Sequence, residues 1–218
     1  MERVADERWL ERTVPMAEVA AGLEGLGYAL VEGFLTADEV AALRARAAAR
    51  RGAFVPAAVG RGPAARRDRR LRGDRICWLD SAHPVERAWL ARMEAVRLAL
   101  NRRLLLGLFE YEGHFAAYPP GARYARHLDS LRGGAQPPGE RGVLSEPARL
   151  GRHRRRRARP LPAGGVWPCP SRPGGGCLVL FLSEEIPHEV RPARRERLSI
   201  AGWFRVNGST AGRVDPPR

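Results

Sequence analysis

Four side chains have the types and spacing to do chemistry: His127, Asp129, His188 and Arg197. The first two stand two apart in the extended run RHLDS, and alternate residues of a strand face the same way. An imidazole and a carboxylate can therefore converge on one ion. His188, in IPHEV, brings a second imidazole. Two histidines and one carboxylate on a common face leave three coordination positions open, the donor set that suits a ferrous ion used to activate oxygen. Arg197 follows nine residues after His188, past Pro192. A guanidinium placed there can grip a carboxylate beside the metal through two parallel hydrogen bonds.

These residues need a scaffold. Residues 16–27 read as a short helix and GYALVEGFL (27–35) as a strand. Thr36 and Glu39 form a capping box that opens an Ala/Leu/Arg-rich helix over 37–51. The Gly/Pro/Arg stretch 52–72 reads as a mobile loop, and RGDRICWLD (72–80) as a strand. Apolar spacing predicts a long amphipathic helix over 83–105, with His83 as a turn or cap residue at its start. LFEYEGHFAAYPP (108–120) reads as strands, with His114 a half-buried strand residue. Segments 177–190 and 197–206 read as two strands joined by a charged turn, and the polar tail NGSTAGRVDPPR as frayed. Helices first and strands later predict one α+β, mainly β domain: helices packed on an antiparallel sandwich, with the ligands at its mouth.

Composition is that of a globular chain, 44% hydrophobic and 28% charged over 218 residues. No apolar run approaches the roughly 20 residues of a membrane helix. The charged start MERVADERWLERTVPM lacks the apolar centre of a signal peptide, so the expected location is the cytoplasm. Cys77, Cys169 and Cys177 form no CxxC pair and read as incidental thiols rather than a disulfide framework. The net charge of +14 would ordinarily suggest nucleic acid. Yet every basic residue is arginine, the signature of GC-rich codon choice. Nine arginines and two glutamates of the window 137–176 account for +7 of that charge. The arginine run, His153 within it, lacks the interleaved aromatics that stack bases, so nucleic acid is not the expected partner.

On RGDRICWLD, AAYPPGARYARHLDS and LVLFLSEEIPHEVRPARRERLSIAGWFR, the chain resembles the Fe(II)/2-oxoglutarate dioxygenases. Within them it is similar to the prolyl 4-hydroxylase-like branch, including bacterial relatives of the oxygen-sensing prolyl hydroxylases. The resemblance implies a double-stranded β-helix, or jelly roll, with His127, Asp129 and His188 as iron ligands. It implies Arg197 as partner of the distal carboxylate of 2-oxoglutarate, helped by Ser199. Tyr118 matches an aromatic lining the co-substrate pocket, and Trp203 matches a pocket tryptophan. Arg72, Asp74 and Trp78, with the loop 52–72, correspond to substrate-side elements. The implied reaction couples decarboxylation of 2-oxoglutarate by O₂, giving succinate and CO₂, to hydroxylation of an unactivated C–H bond, with ascorbate as an implied helper. The expected substrate is a prolyl residue of a protein or peptide. The competing expectations are a free amino acid or small molecule, and a degraded relative that only binds metal or nucleic acid.

Between Ser130 and Cys177 the pattern breaks. The family carries text resembling VxxVLYLN and DGGxLxLY there, whereas this chain has PPGERGVLSEPARLGRHRRRRARPLPAGGVWPCPSRPGGG. Its proline and arginine content predicts an irregular, exposed segment over 137–176. A one-nucleotide shift provides an origin: GERGVLSEP can be encoded so that the shifted frame reads VSVVFYLN, and RHRRRRARPLP with its neighbours can be encoded so that it reads GTDGGALALYL. The expected consequence is a chain of reduced stability or activity.

Overall fold

The computed structural model describes residues 10, 13–60, 66–129, 143–146, 176–192 and 194–206, the stretch 143–146 by its backbone. Helix α1 (Met16–Leu26) buries Met16, Val19, Ala20 and Leu23, one apolar stripe at helical spacing. It ends at Gly27, whose φ of 75° lets its N–H reach back to the Leu23 carbonyl. Strand β1 (Tyr28–Val31) follows at once, shorter than the nine-residue run suggests. At Thr36 the capping box is complete: its hydroxyl accepts from the Glu39 N–H, and the Glu39 carboxylate accepts from the Thr36 N–H. It opens α2 (Ala37–Ala49). Helix α3 (Pro84–Leu104) starts with His83 accepting from the Val85 N–H and Pro84 in its first turn. Trp89, Met93, Val96 and Leu100 form its core stripe.

One buried carboxylate ties these helices together. Glu86 of α3 is fully buried and accepts from Arg46 Nε at 2.5 Å and Arg50 Nη1 at 2.8 Å, both from α2. It also accepts from the Asp80 N–H at 2.6 Å. Arg50 donates further to the Trp78 carbonyl at 2.8 Å, which carries the clasp from the helices into the sheet.

The remaining strands are β2 (Val55–Pro56), β3 (Arg75–Trp78), β4 (Leu108–Tyr118), β5 (Tyr124–His127), β6 (Val143–Glu146), β7 (Leu178–Leu182), β8 (His188–Val190) and β9 (Arg197–Val206). Seven build a large antiparallel sheet in the order β1-β7-β6-β9-β4-β3-β2, and β5 and β8 form a separate antiparallel pair. The longest ladder joins β4 and β9, from Tyr118 opposite Arg197 to Leu108 opposite Val206. The large sheet is buried on two sides. Phe115, Leu178, Leu180, Ile200 and Phe204 join the helix-side core. Alternate residues Val179, Phe181 and Ala201 join a second cluster on the other face, toward the small sheet, with Trp203 packed against it. β7 is therefore a continuous apolar run rather than an alternating one.

Several expectations change. Segment 177–190 is two strands, β7 and β8, in different sheets, because the turn after Leu182 carries the chain across the sandwich. The stretch 52–72 contains β2 and a bridge between Val59 and Arg66, so it is paired in part. Within 137–176, Val143–Glu146 is not irregular: β6 sits between β7 and β9 and pairs with both. The facing edges of those two strands supply a ladder on each side, and that context outweighs a weak local preference. The rest of 137–175, including the arginine run and His153, lies outside the described residues, as does the tail 207–218. Cys77 is a free buried thiol, as expected, but Cys177 is disulfide-bonded, which corrects its reading as an incidental thiol. Among the described residues no helix is long and apolar enough to cross a membrane.

Candidate metal centre

The small sheet sets two of the three donors. His127 of β5 stands directly opposite His188 of β8, so the strand ladder itself fixes how far apart their rings lie. The rings are 4.2 Å apart between centroids. Asp129 lies just past the end of β5, where its N–H donates to the Ser183 carbonyl at 3.0 Å and ties this stretch to the turn after β7. The donor atoms of His127, Asp129 and His188 all fall within 4.8 Å of one another. Asp129 Oδ1 is 3.2 Å from His127 Nε2 and 3.7 Å from His188 Nε2.

The outer contacts select which atoms remain available. His127 Nδ1 is 2.8 Å from the Ala125 carbonyl and His188 Nδ1 is 3.0 Å from the Ile186 carbonyl. A carbonyl only accepts, so Nδ1 carries hydrogen on each ring and Nε2 keeps its lone pair for a metal. Asp129 Oδ2 accepts from the Trp203 indole N–H at 2.8 Å, leaving Oδ1 toward the imidazoles. Burial pushes the Asp129 carboxyl up. The facing His127 and His188 imidazoles and the Trp203 hydrogen bond outweigh it and hold the group below its ordinary value. Two lone-pair nitrogens and one ionised oxygen fit a divalent cation with open positions.

A cavity opens over this cluster, lined by Arg72, His114, Tyr118 and Trp203 as well as the three donors. Of the residues singled out in the sequence, Tyr118 and Trp203 lie in its wall, whereas Arg197 and Ser199 are not among the lining residues. Both share the inward face of β9 with Ala201 and Trp203, by the alternation of a strand. Arg197 stands opposite Tyr118, with its guanidinium 5.8 Å from the centre of that ring. Ser199 is buried, and its hydroxyl has no hydrogen-bond partner among the described residues. Arg72 pairs with Asp74 through Nε at 2.9 Å and Nη2 at 3.2 Å and lies 4.6 Å over the Tyr124 ring, which stacks on His127 at 3.7 Å. Burial opposes the Arg72 charge, but Asp74 more than restores it and raises its pKa.

Tyr124 and His114 are among the wall residues to which the sequence reading assigns no role. Tyr124 is three residues before His127, an odd spacing that should oppose the faces. A register shift between Tyr124 and His127 brings them together, and no two-residue periodicity would reveal it. His114, expected to be half-buried, is buried completely. Its parity with Tyr118 on one strand was the available signal. Burial, with Arg72 adding to it, lowers its pKa from 6.5 to about 3. Its unfolded form takes up a proton below pH 6.5, while the folded form stays neutral until about 3. Stability therefore falls as pH drops through that window, by about 1.4 kcal/mol per pH unit from this one group. Urea unfolding of wild type and His114→Phe at pH 7.5 and pH 5 should show a shallower acid loss in the variant. Equal losses would mean that the ring is protonated in the fold.

The comparisons agree with this geometry. The family model of the 2OG-Fe(II) oxygenase superfamily matches residues 113–205, from β4 to the end of β9. No curated protein matches the sequence significantly. A prolyl 4-hydroxylase from Pseudomonas putida is similar at 38% identity, covering 88% of this chain and 100% of that one, with a TM-score of 0.67. A Trichoplax adhaerens prolyl hydroxylase in complex with a hypoxia inducible factor oxygen degradation domain peptide shares the fold at 20% identity. There the match covers 91% and 92% of the two chains, with a TM-score of 0.64. The viral collagen prolyl hydroxylase of Paramecium Bursaria Chlorella virus-1, in its 2OG complex, also shares the fold, at 20% identity over 84% and 98%, with a TM-score of 0.53. The clustered His127, Asp129 and His188, the matched family model and the Pseudomonas relative lead to one conclusion: the chain belongs to the 2-oxoglutarate- and Fe(II)-dependent oxygenases, in their prolyl 4-hydroxylase-like branch.

Proposed function

We propose that the protein hydroxylates a prolyl residue of a protein or peptide, consuming 2-oxoglutarate and O₂ and releasing succinate and CO₂. The observation that carries this is the convergence of two imidazoles and one carboxylate within 4.8 Å, in a chain 38% identical to a prolyl 4-hydroxylase. His127 Nε2, His188 Nε2 and Asp129 Oδ1 hold Fe(II), and the two sheets are the halves of a jelly roll around it. The bound metal supplies oxygen activation. The protein's own residues hold, orient and keep water away. Trp203 keeps the Asp129 carboxylate turned, and Tyr124 braces the His127 ring. Arg197, opposite Tyr118 on the neighbouring strand, binds the far carboxylate of 2-oxoglutarate, with the Ser199 hydroxyl as a further donor. Ascorbate protects the metal from idle oxidation, and the location is the cytoplasm.

Full-length protein supplied with Fe(II), 2-oxoglutarate and a panel of proline-containing peptides should give succinate and peptide products heavier by one oxygen. Oxidation of free amino acids but of no peptide would move the assignment to a small-molecule oxygenase. Absence of succinate under every condition would leave a non-catalytic relative. Arg197→Ala should raise the KM for 2-oxoglutarate by roughly 10- to 100-fold. A hydrogen-bonded charge contributes about 1.5–3 kcal/mol, and each 1.4 kcal/mol is about tenfold. An unchanged KM would remove Arg197 from the co-substrate site.

The shifted-frame origin of the Ser130–Cys177 stretch is a separate proposal. The restored text VSVVFYLN would span residues 139–147, around the position of β6. Sequencing the coding DNA across codons 130–180 tests it, and finding family-like text in no frame ends it.

A further inference from the structure

His114 lines the cavity but is not one of the three clustered donors. It is 1% exposed, and neither ring nitrogen has a hydrogen-bond partner among the described residues. A buried donor or acceptor left unmade costs about 1–3 kcal/mol, and here both are left unmade on one ring. Yet the residue lines the cavity above the metal ligands. Two tryptophans bracket it. Trp78, its cross-strand neighbour, lies edge-on at 5.1 Å between ring centroids, and Trp203 lies at 5.5 Å with a tilt of 34°. The Trp203 N–H is committed to Asp129, and Trp78 is 46% exposed.

Position along the strand decides which ligand His114 meets. Tyr118 faces Arg197, and His114 faces Ala201, four residues along the same ladder. At about 3.4 Å per residue that is about 13 Å from the Arg197 end, further than a five-carbon dicarboxylate extends. His114 thus stands beyond the reach of a co-substrate held at Arg197, between an exposed tryptophan and one bonded to Asp129. A prolyl residue brings a pyrrolidine ring, no N–H and one backbone carbonyl. It needs apolar walls and a hydrogen-bond donor.

We propose that His114 is a substrate-positioning residue: its ring N–H donates to the backbone carbonyl of the target prolyl residue, whose pyrrolidine ring packs against Trp203. This deepens the protein-prolyl reading and rests on it. Its lowered pKa keeps the imidazole neutral at working pH, so it presents one donor and one acceptor without bringing a second buried cation beside Arg72.

The test uses the full chain and the peptide that the panel shows to be hydroxylated. With Zn(II) and N-oxalylglycine as unreactive stand-ins, the peptide should shift the ¹⁵N signal of the His114 ring, and N-oxalylglycine alone should not. In the reactive enzyme, His114→Phe should raise the peptide KM about tenfold, the loss of one hydrogen bond. It should also lower the yield of hydroxylated peptide per succinate. Its KM for 2-oxoglutarate and its peptide-independent succinate release should stay within about twofold. His114→Asn, which keeps an N–H, should recover part of the coupling. A purely structural histidine predicts unchanged peptide KM and coupling in a folded His114→Phe, and that result overturns the proposal. So does a ring signal that moves with N-oxalylglycine alone. If succinate forms but no prolyl peptide is oxidised, the proposal falls while the oxygenase assignment stands.

Discussion

Asp129→Ala should abolish 2-oxoglutarate decarboxylation, lowering Fe(II)-dependent succinate release by roughly 10³-fold or more. The carboxylate is the one anionic donor of the cluster, and its Oδ1 lies within 3.7 Å of both imidazole Nε2 atoms. Removing it leaves two neutral nitrogens to hold a dication. Several kcal/mol of metal-centred stabilisation goes with it, and each 1.36 kcal/mol is about tenfold in rate. The loss should appear in anaerobic Fe(II) binding by calorimetry as well as in turnover, which separates a missing ligand from a damaged substrate pocket. Trp203→Phe should give a milder version, since the carboxylate stays but its Oδ2 loses the indole hydrogen bond. Near-normal succinate release by Asp129→Ala would sink the metal assignment.

Glu86→Ala should be the most destabilising of the substitutions considered, by about 3–5 kcal/mol, the cost of breaking a buried ion pair by deleting one partner. Arg46, Arg50 and the Asp80 N–H would all lose the carboxylate on which they converge. Against a total stability of roughly 5–15 kcal/mol that is a large share, and it should be visible as a lower urea midpoint with the slope preserved. Function should follow stability, because Arg50 also holds the Trp78 carbonyl and Trp78 packs edge-on against His114 of the cavity wall. A second variant, Arg46→Met combined with Glu86→Ala, should lose less than the sum of the single changes, because each alone strands the other's charge. Strict additivity would show that the clasp contributes nothing as a unit.

The convergence of the three candidate donors was legible because type and spacing are both constrained. A strand period of two puts His127 and Asp129 on one side, and a distal histidine completes the set. The three helices were legible from caps and apolar stripes, down to His83 as the cap of α3. What sequence missed depends on long-range pairing. The turn after Leu182 sends β7 and β8 into opposite sheets, though the text LVLFLSEEIPHEV runs on without a break. The register shift that stacks Tyr124 on His127 leaves no trace in residue types. β6 takes its conformation from β7 and β9 more than from its own four residues. The complete burial of His114 was missed because a lone histidine on a strand reads as half-buried. The rings that cover it come from distant strands, Trp78 of β3 and Trp203 of β9.

His127 and His188 are cross-strand partners, so their spacing is dictated by main-chain pairing rather than by whatever ion arrives. A cage assembled in this way has little scope to reshape itself around one element in preference to another. Divalent nickel, copper and zinc bind nitrogen and oxygen donors more tightly than ferrous iron does. Loading with the productive metal therefore falls to cellular supply. In an iron-poor, zinc-rich medium the same rigid ladder would hold a tightly bound, redox-silent occupant.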